Sequence, residues 1–250
     1  MSNASGGPSR TTLLTLQGTK ALGMDVRVLT NSLGPDDEAV SEDPSICYLP
    51  RPCLQDKCRG YAKVIPYELA KMGRADVYHI QGIWLYSSYI TARYARKQGV
   101  PYVITLHGTL YPEALKQSFF IKKTSLFLYQ RRQLQQAACI HATCMEEMEH
   151  YRRLGFTNPV AVVPCPMECD DKVESVSLKD VKRIGYLGRV HPRKRIEKLI
   201  DIWSRLNEPG ELLIMGDGDP FYMKFLRKEV ERLQAEQNRL QRSYQNRMSR

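Results

Sequence analysis

Short apolar runs rich in Val, Ile, Leu and Tyr recur along this chain with helix-patterned segments between them, and that alternation constrains the fold more than any other feature. Strand, amphipathic helix and strand in succession make the unit of a parallel sheet, because parallel neighbours need a long crossover that also covers a sheet face. The glycine turn Gly6-Gly7-Pro8-Ser9 leads into a first helix reaching Leu22. A strand at Asp25 to Thr30 follows, and then a Pro-, Asp-, Ser- and Glu-rich stretch with one short strand at Ile46 to Leu49. From Ala62 the alternation is regular: helix to Met72, strand Asp76 to Ile80, helix Trp84 to Lys97, strand Pro101 to Leu106. It continues with a long helical region Pro112 to Gln136, strand Cys139 to Ala142, helix Cys144 to Leu154 and strand Val160 to Val163. A second series has strands Arg183 to Leu187 and Glu211 to Met215, with helices Arg195 to Leu206 and Phe221 onward. The fold class expected is α/β, with domains at 1–166 and 181–233, a linker at 167–180 holding acidic residues and no periodicity, and a charged tail at 234–250. Two features are unusual. No strand precedes the opening glycine turn, and a second sheet of two parallel strands cannot bury both faces or protect its edges.

Composition narrows the function classes. No apolar run approaches the length of a membrane span, the first ten residues are not a secretory leader, and no repeat of solenoid length recurs. Seven cysteines, an odd number scattered through the chain, suit free thiols in a reducing compartment, hence the cytoplasm. The pairs Cys53 and Cys58, and Cys139 and Cys144, do not have zinc-finger spacing. Of the net charge of +10, half falls between Lys224 and Arg250, where eight Lys or Arg meet three Glu. A solvated terminal helix or disordered extension accounts for that end better than a nucleic-acid surface does.

In open parallel sheets ligands bind beyond the carboxyl ends of the strands, where helix N-termini offer free backbone N–H groups to phosphate. Gly6-Gly7, His107-Gly108, Gly188-Arg189 and Gly216-Asp217-Gly218 all occupy such positions. Arg189 and Lys194 stand five residues apart around a strand-to-helix turn. Cations there oppose the helix dipole, and an anion between them supplies the reason for their presence.

The strand-Gly188-Arg189-x-x-x-x-Lys194-helix segment, followed by Leu212-Leu213-Ile214-Met215-Gly216-Asp217-Gly218, resembles the carboxyl-terminal donor half of the retaining glycosyltransferases of family 4, which have the two-domain, Rossmann-like GT-B fold. The front half is similar too, in the Gly6-Gly7 loop, Asp76 to Gly82, Pro101 to Gly108, and Ala137 to Pro164 with Glu147 after Ala142-Thr143. The resemblance implies a nucleotide-sugar donor whose phosphates lie by Gly6 and Gly7 at the domain cleft, with His107 near the transferred sugar. Arg189 and Lys194 neutralise the departing diphosphate with no metal cofactor, and Gly188, Gly216 and Asp217 complete the donor site. It implies a glycan or lipid-linked acceptor and a place in surface polysaccharide assembly.

Three departures stand out. Arg195 replaces the usual glycine after the motif lysine, Pro164-Cys165-Pro166 stands where Pro-Asn-Gly is common, and nothing after Gly218 supplies the family's paired glutamates, since Glu229, Glu231 and Glu236 lie in a charged helix. A catalytically inactive fragment binding only nucleotide or a partner protein is the alternative. Residues 118–134 mix Phe119, Phe120, Phe127 and Tyr129 with four cations, a composition suited either to the face of an anionic membrane or to packing on the sheet.

Overall fold

The computed structural model describes residues 1, 7–31, 33, 38–49, 63–116, 118–168, 183–206 and 210–248. The chain divides into two units, Met1–Asp170 and Asp171–Arg250. Gly6, Cys53, Cys58 and most of the expected linker lie outside the described residues.

The first unit opens with α1 (Gly7–Ala21), which begins beside Pro8 and buries Ser9, Leu13 and Leu16 at helical spacing. β1 (Val28–Thr30) and β2 (Ile46–Tyr48) pair in parallel as a sheet of their own. After α2 (Ile65–Lys71) come β3 (Tyr78–Gln81), α3 (Tyr86–Gln98), β4 (Tyr102–Thr105), α4 (Pro112–Lys116), α5 (Phe119–Ser125), a π-helical turn (Leu126–Gln130), α6 (Arg131–Gln135), β5 (Cys139–Ala142), α7 (Met145–Arg153) and β6 (Val160–Val162). β3 to β6 form one parallel sheet in chain order. The expected long helix 112–136 is therefore broken, with Ser118 in the left-handed region at φ 54° before α5. Strand β1 is shorter than expected, beginning at Val28, and the Arg27 side chain before it bonds to Asp25 and the Met72 carbonyl.

The sheet has two unlike faces. On one, Ile80, Ile104 and Ile140 stand in register with Val160, and with Tyr102, Ala92, Ala95, Leu134, Tyr151 and Phe156 they build the core. On the other, Gln81, Thr105 and His141 stand in register, with His79 two residues before Gln81. Alternation along a strand forces this division, since one set of side chains cannot join the core that its neighbours fill.

In the second unit β7 (Arg183–Leu187) and β8 (Glu211–Met215) pair in parallel. They are followed by α8 (Ile196–Arg205) and α9 (Pro220–Met248), and α9 absorbs the charged tail into one continuous helix as far as Met248. Asp219 caps α9 by accepting the Tyr222 N–H at 2.8 Å, and Pro220 occupies the first helical position. Tyr186, Leu212 and Ile214 pack under Ile196, Ile200, Tyr222 and Leu226. Leu187, Leu213 and Met215, on the opposite face, are exposed, as a two-stranded sheet requires.

The turns after β7 and β8 lie back to back. Gly188 donates to the Met215 carbonyl at 3.0 Å and Val190 to that of Asp217 at 2.9 Å. A Cβ on Gly216 would stand 2.0 Å from the Gly188 oxygen, and one on Gly218 1.8 Å from that of Val190. Glycine is thus demanded by a backbone neighbour that cannot swing away. Gly218→Ala is expected to destabilise the second unit by about 1–3 kcal/mol, read as a lower urea midpoint with an unchanged slope.

Candidate functional site

Three consecutive turns at the carboxyl edge of β3, β4 and β5 carry the polar residues of the first unit. After β3 the chain passes through Gly82 and Trp84, and after β4 through His107 and Gly108; all four have positive φ, 79°, 74°, 51° and 68° in that order. For Trp84 and His107 this left-handed backbone costs about 1–3 kcal/mol each and persists only where surrounding contacts over-determine it. At Trp84 the indole N–H reaches the Thr109 carbonyl at 3.4 Å. At His107 there are two anchors, one on the ring and one on the backbone.

The ring anchor is Gln81, whose Oε1 lies 2.8 Å from His107 Nε2. The nitrogen of the same amide lies 3.4 Å from His79 Nε2, so the one side chain meets both rings. The backbone anchor is Glu147, third residue of α7 and only 1% exposed. One carboxylate oxygen accepts the Gly108 N–H; the other accepts the Thr143 N–H at 2.6 Å and the Thr143 hydroxyl at 3.0 Å. Glu147 therefore ties the turn after β4 to the turn after β5. Burial lowers the His107 pKa, the Glu147 charge opposes that shift, and His141 adds to it.

Beneath this turn runs a hydrogen-bonded chain along the polar sheet face. His141 Nε2 is 2.8 Å from the Val163 carbonyl and must donate to it, which leaves Nδ1 to accept from the Thr105 hydroxyl at 3.0 Å. The Thr105 oxygen also meets His79 Nε2 at 2.7 Å. Although His79 keeps some solvent-open surface, desolvation of its ring, with His141 and His107 nearby, lowers its pKa to about 4. Among the described residues no group of three or more His, Cys, Asp or Glu is placed to hold a metal ion.

Of the other expected residues in this unit, Gly7 is exposed at the start of α1. The remainder lie in the second unit. Gly188 and Gly216 are in backbone contact, and Asp217 closes its own turn by accepting the Gly218 N–H at 2.7 Å. Arg189 is exposed, its carbonyl held by the Tyr186 hydroxyl at 3.1 Å. Lys194, also exposed, ends a short 3-10 turn (Pro192–Lys194) capped by His191. Arg195 has φ 54° at the start of α8, the left-handed backbone a glycine adopts freely, which is the physical meaning of the family's preference there. Sequence reasoning passed over Glu147 as an anchor and the His79, Thr105 and His141 chain altogether. The signals were present, in a glutamate at the third position of a helix following a threonine and in polar residues alternating along strands.

Residues 6–166 match the family described as the glycosyl transferase 4-like domain. The chain belongs to that family. Among solved structures it is similar to the crystal structure of Anabaena Alr3699/HepE in complex with UDP, with a TM-score of 0.63 and 16% sequence identity, covering 93% of this chain and 64% of that one. The likeness is one of fold, α/β and GT-B-like, and the chain spans 64% of that structure's length. No curated protein matches.

Two measurements probe the site. In the folded state His79 stays neutral down to about pH 4, whereas an unfolded histidine takes up its proton near 6.5. Between those values the unfolded chain binds more protons, so stability is lost as pH falls through the window. Thermal melts from pH 7 to pH 4 should show the decline, and His79→Gln should flatten it. Glu147→Gln places an amide donor against a donor at Gly108 or Thr143 in either orientation, an expected loss of about 1–3 kcal/mol; the His107 pKa, followed by NMR, should fall further because the charge that raises it is gone.

Proposed function

We propose that this chain is the sugar-transferring part of a family 4 glycosyltransferase, moving a hexosyl group from a nucleotide-sugar donor to a glycan or lipid-linked acceptor with retention of configuration. The single observation that carries the reading is the family match over the unit in which His107 is fixed at the carboxyl edge of the sheet by Gln81 and Glu147. A ring held by a hydrogen bond beside a strained turn is a preorganised group, and preorganised dipoles act on a transition state without reorganising. In this role His107 faces the transferred sugar. Gly6, Gly7, Gly188, Gly216 and Asp217 belong to the donor site, and Arg189 and Lys194 meet the negative charge that builds on the leaving diphosphate, so that no metal cofactor is called for. The UDP bound by the Anabaena structure supports a nucleoside diphosphate as the leaving group. Surface polysaccharide assembly on the cytoplasmic side is the setting proposed; the free thiols Cys47, Cys139, Cys144 and Cys165 suit a reducing compartment.

The test is release of nucleoside diphosphate by the purified chain from a panel of nucleotide sugars, each with binding measured by calorimetry. Turnover of one donor, lowered about a hundredfold by His107→Ala and by Arg189→Ala, is the expected result. Binding of nucleotide without turnover of any donor overturns the transferase reading for this chain and leaves a nucleotide-binding one. Unchanged diphosphate affinity in Arg189→Ala removes that residue from the donor site.

A further inference from the structure

Two histidines of the polar sheet face, His79 and His141, take no part in the chemistry assigned above, yet they connect to His107 through one side chain. β3 sets His79 and Gln81 on the same face, two residues apart, and Gln81 stands in register with Thr105 and His141. Gln81 Oε1 lies 2.8 Å from His107 Nε2, and Gln81 Nε2 lies 3.4 Å from His79 Nε2. An amide has one accepting end and one donating end, whichever way it is turned. Both rings meet it with the same atom, so the two contacts are satisfied together only when one ring Nε2 carries a proton and the other does not. Gln81 therefore asks the two rings for opposite tautomers.

His79 receives a second demand from the other side. Its Nε2 stands 2.7 Å from Thr105 Oγ1, which in turn is 3.0 Å from His141 Nδ1. Thr105 is only 1% exposed, so its hydroxyl turns to the two rings rather than to water. The short contact to Thr105 and the longer one to Gln81 thus meet on one nitrogen, which holds either a proton or a lone pair. Whichever it holds, Gln81 suits both rings only by turning its opposite end to His107. With Nε2 of His107 taken up by Gln81, Nδ1 is the ring atom left for a ligand. It donates when Nε2 accepts from the amide, and accepts when Nε2 donates to it. A donor there meets an oxygen that gains negative charge, whereas an acceptor meets a hydroxyl proton, and the two are different tools at a transition state.

Resting on the reading in which His107 faces the transferred sugar, we infer that His79 is a positioning residue: acting through Gln81, it sets which nitrogen of the His107 ring carries the proton. The experiment is long-range proton–nitrogen NMR of the full chain labelled in its histidines, at mildly alkaline pH where both rings are neutral. It compares the wild type with His79→Leu, His79→Gln and Gln81→Leu, and turnover of a nucleotide sugar is measured on the same samples. In the wild type one of the two rings should carry its proton on Nδ1 and the other on Nε2. In His79→Leu and Gln81→Leu the preference of His107 between its tautomers should change at least about fivefold, and kcat should fall about tenfold with KM within about twofold. His79→Gln, which again offers Gln81 and Thr105 a polar partner, should restore most of both. The same tautomer in both wild-type rings, or an unchanged His107 tautomer in Gln81→Leu, overturns the inference. A lowered kcat in His79→Leu with the His107 tautomer unchanged overturns it in favour of plain structural support. If His79→Leu does not fold, the wild-type and Gln81→Leu spectra still decide. Turnover by none of the proteins, wild type included, refutes the transferase reading alone, because the ring spectra report the positioning without substrate.

Discussion

A carboxylate removed from water must find donors, and Glu147 finds three on two different turns. Its acceptor capacity is met by the backbone that it organises, so burial and order depend on each other. The turn after β4 could otherwise relax the left-handed conformation of His107, and the turn after β5 could fray from the start of α7. With the carboxylate between them, the two strand ends and the start of the helix are tied together, and Gln81 at the end of β3 holds the histidine ring separately.

The same logic separates the faces of the first sheet. Its apolar face is a close-packed core in which a polar side chain is costly, and polar groups of the strands collect on the opposite face, where they meet one another from His79 through Thr105 to His141 and the Val163 carbonyl. In the second unit backbone packing does the equivalent work, since Gly216 and Gly218 bring the two turns within hydrogen-bonding distance and so place the exposed chain at Arg189 and Lys194.

The strands and most helices were legible because period-two and period-3.6 patterns report which side chains must be buried. Ile80, Ile104 and Ile140 lie in strands, and Ala92 and Ala95 in a helix, that the pattern had placed at those ranges. The break at Ser118 was not legible, because a left-handed serine leaves no compositional mark and the apolar residues on either side read as one continuous helix. Neither was the separation of β1 and β2 from the larger sheet, which depends on pairing between distant strands rather than on local pattern. The glycines at 188, 216 and 218 were recognisable as turn residues, yet their close mutual approach belongs to three-dimensional packing. His107 was found by motif, whereas its anchors on Gln81 and Glu147 are contacts across 26 and 39 residues that no spacing rule connects.

The one-sided second sheet has a consequence for the order in which the chain acquires its structure. Strands β7 and β8 can pair as soon as both exist, but Tyr186, Leu212 and Ile214 find their full cover only when Tyr222, Leu226, Val230 and Leu233 of α9 have followed. Until α9 follows, the pair has only the Ile196 and Ile200 side of α8 over its inner face and Leu187, Leu213 and Met215 bare on the other, a surface open to edge pairing with other chains.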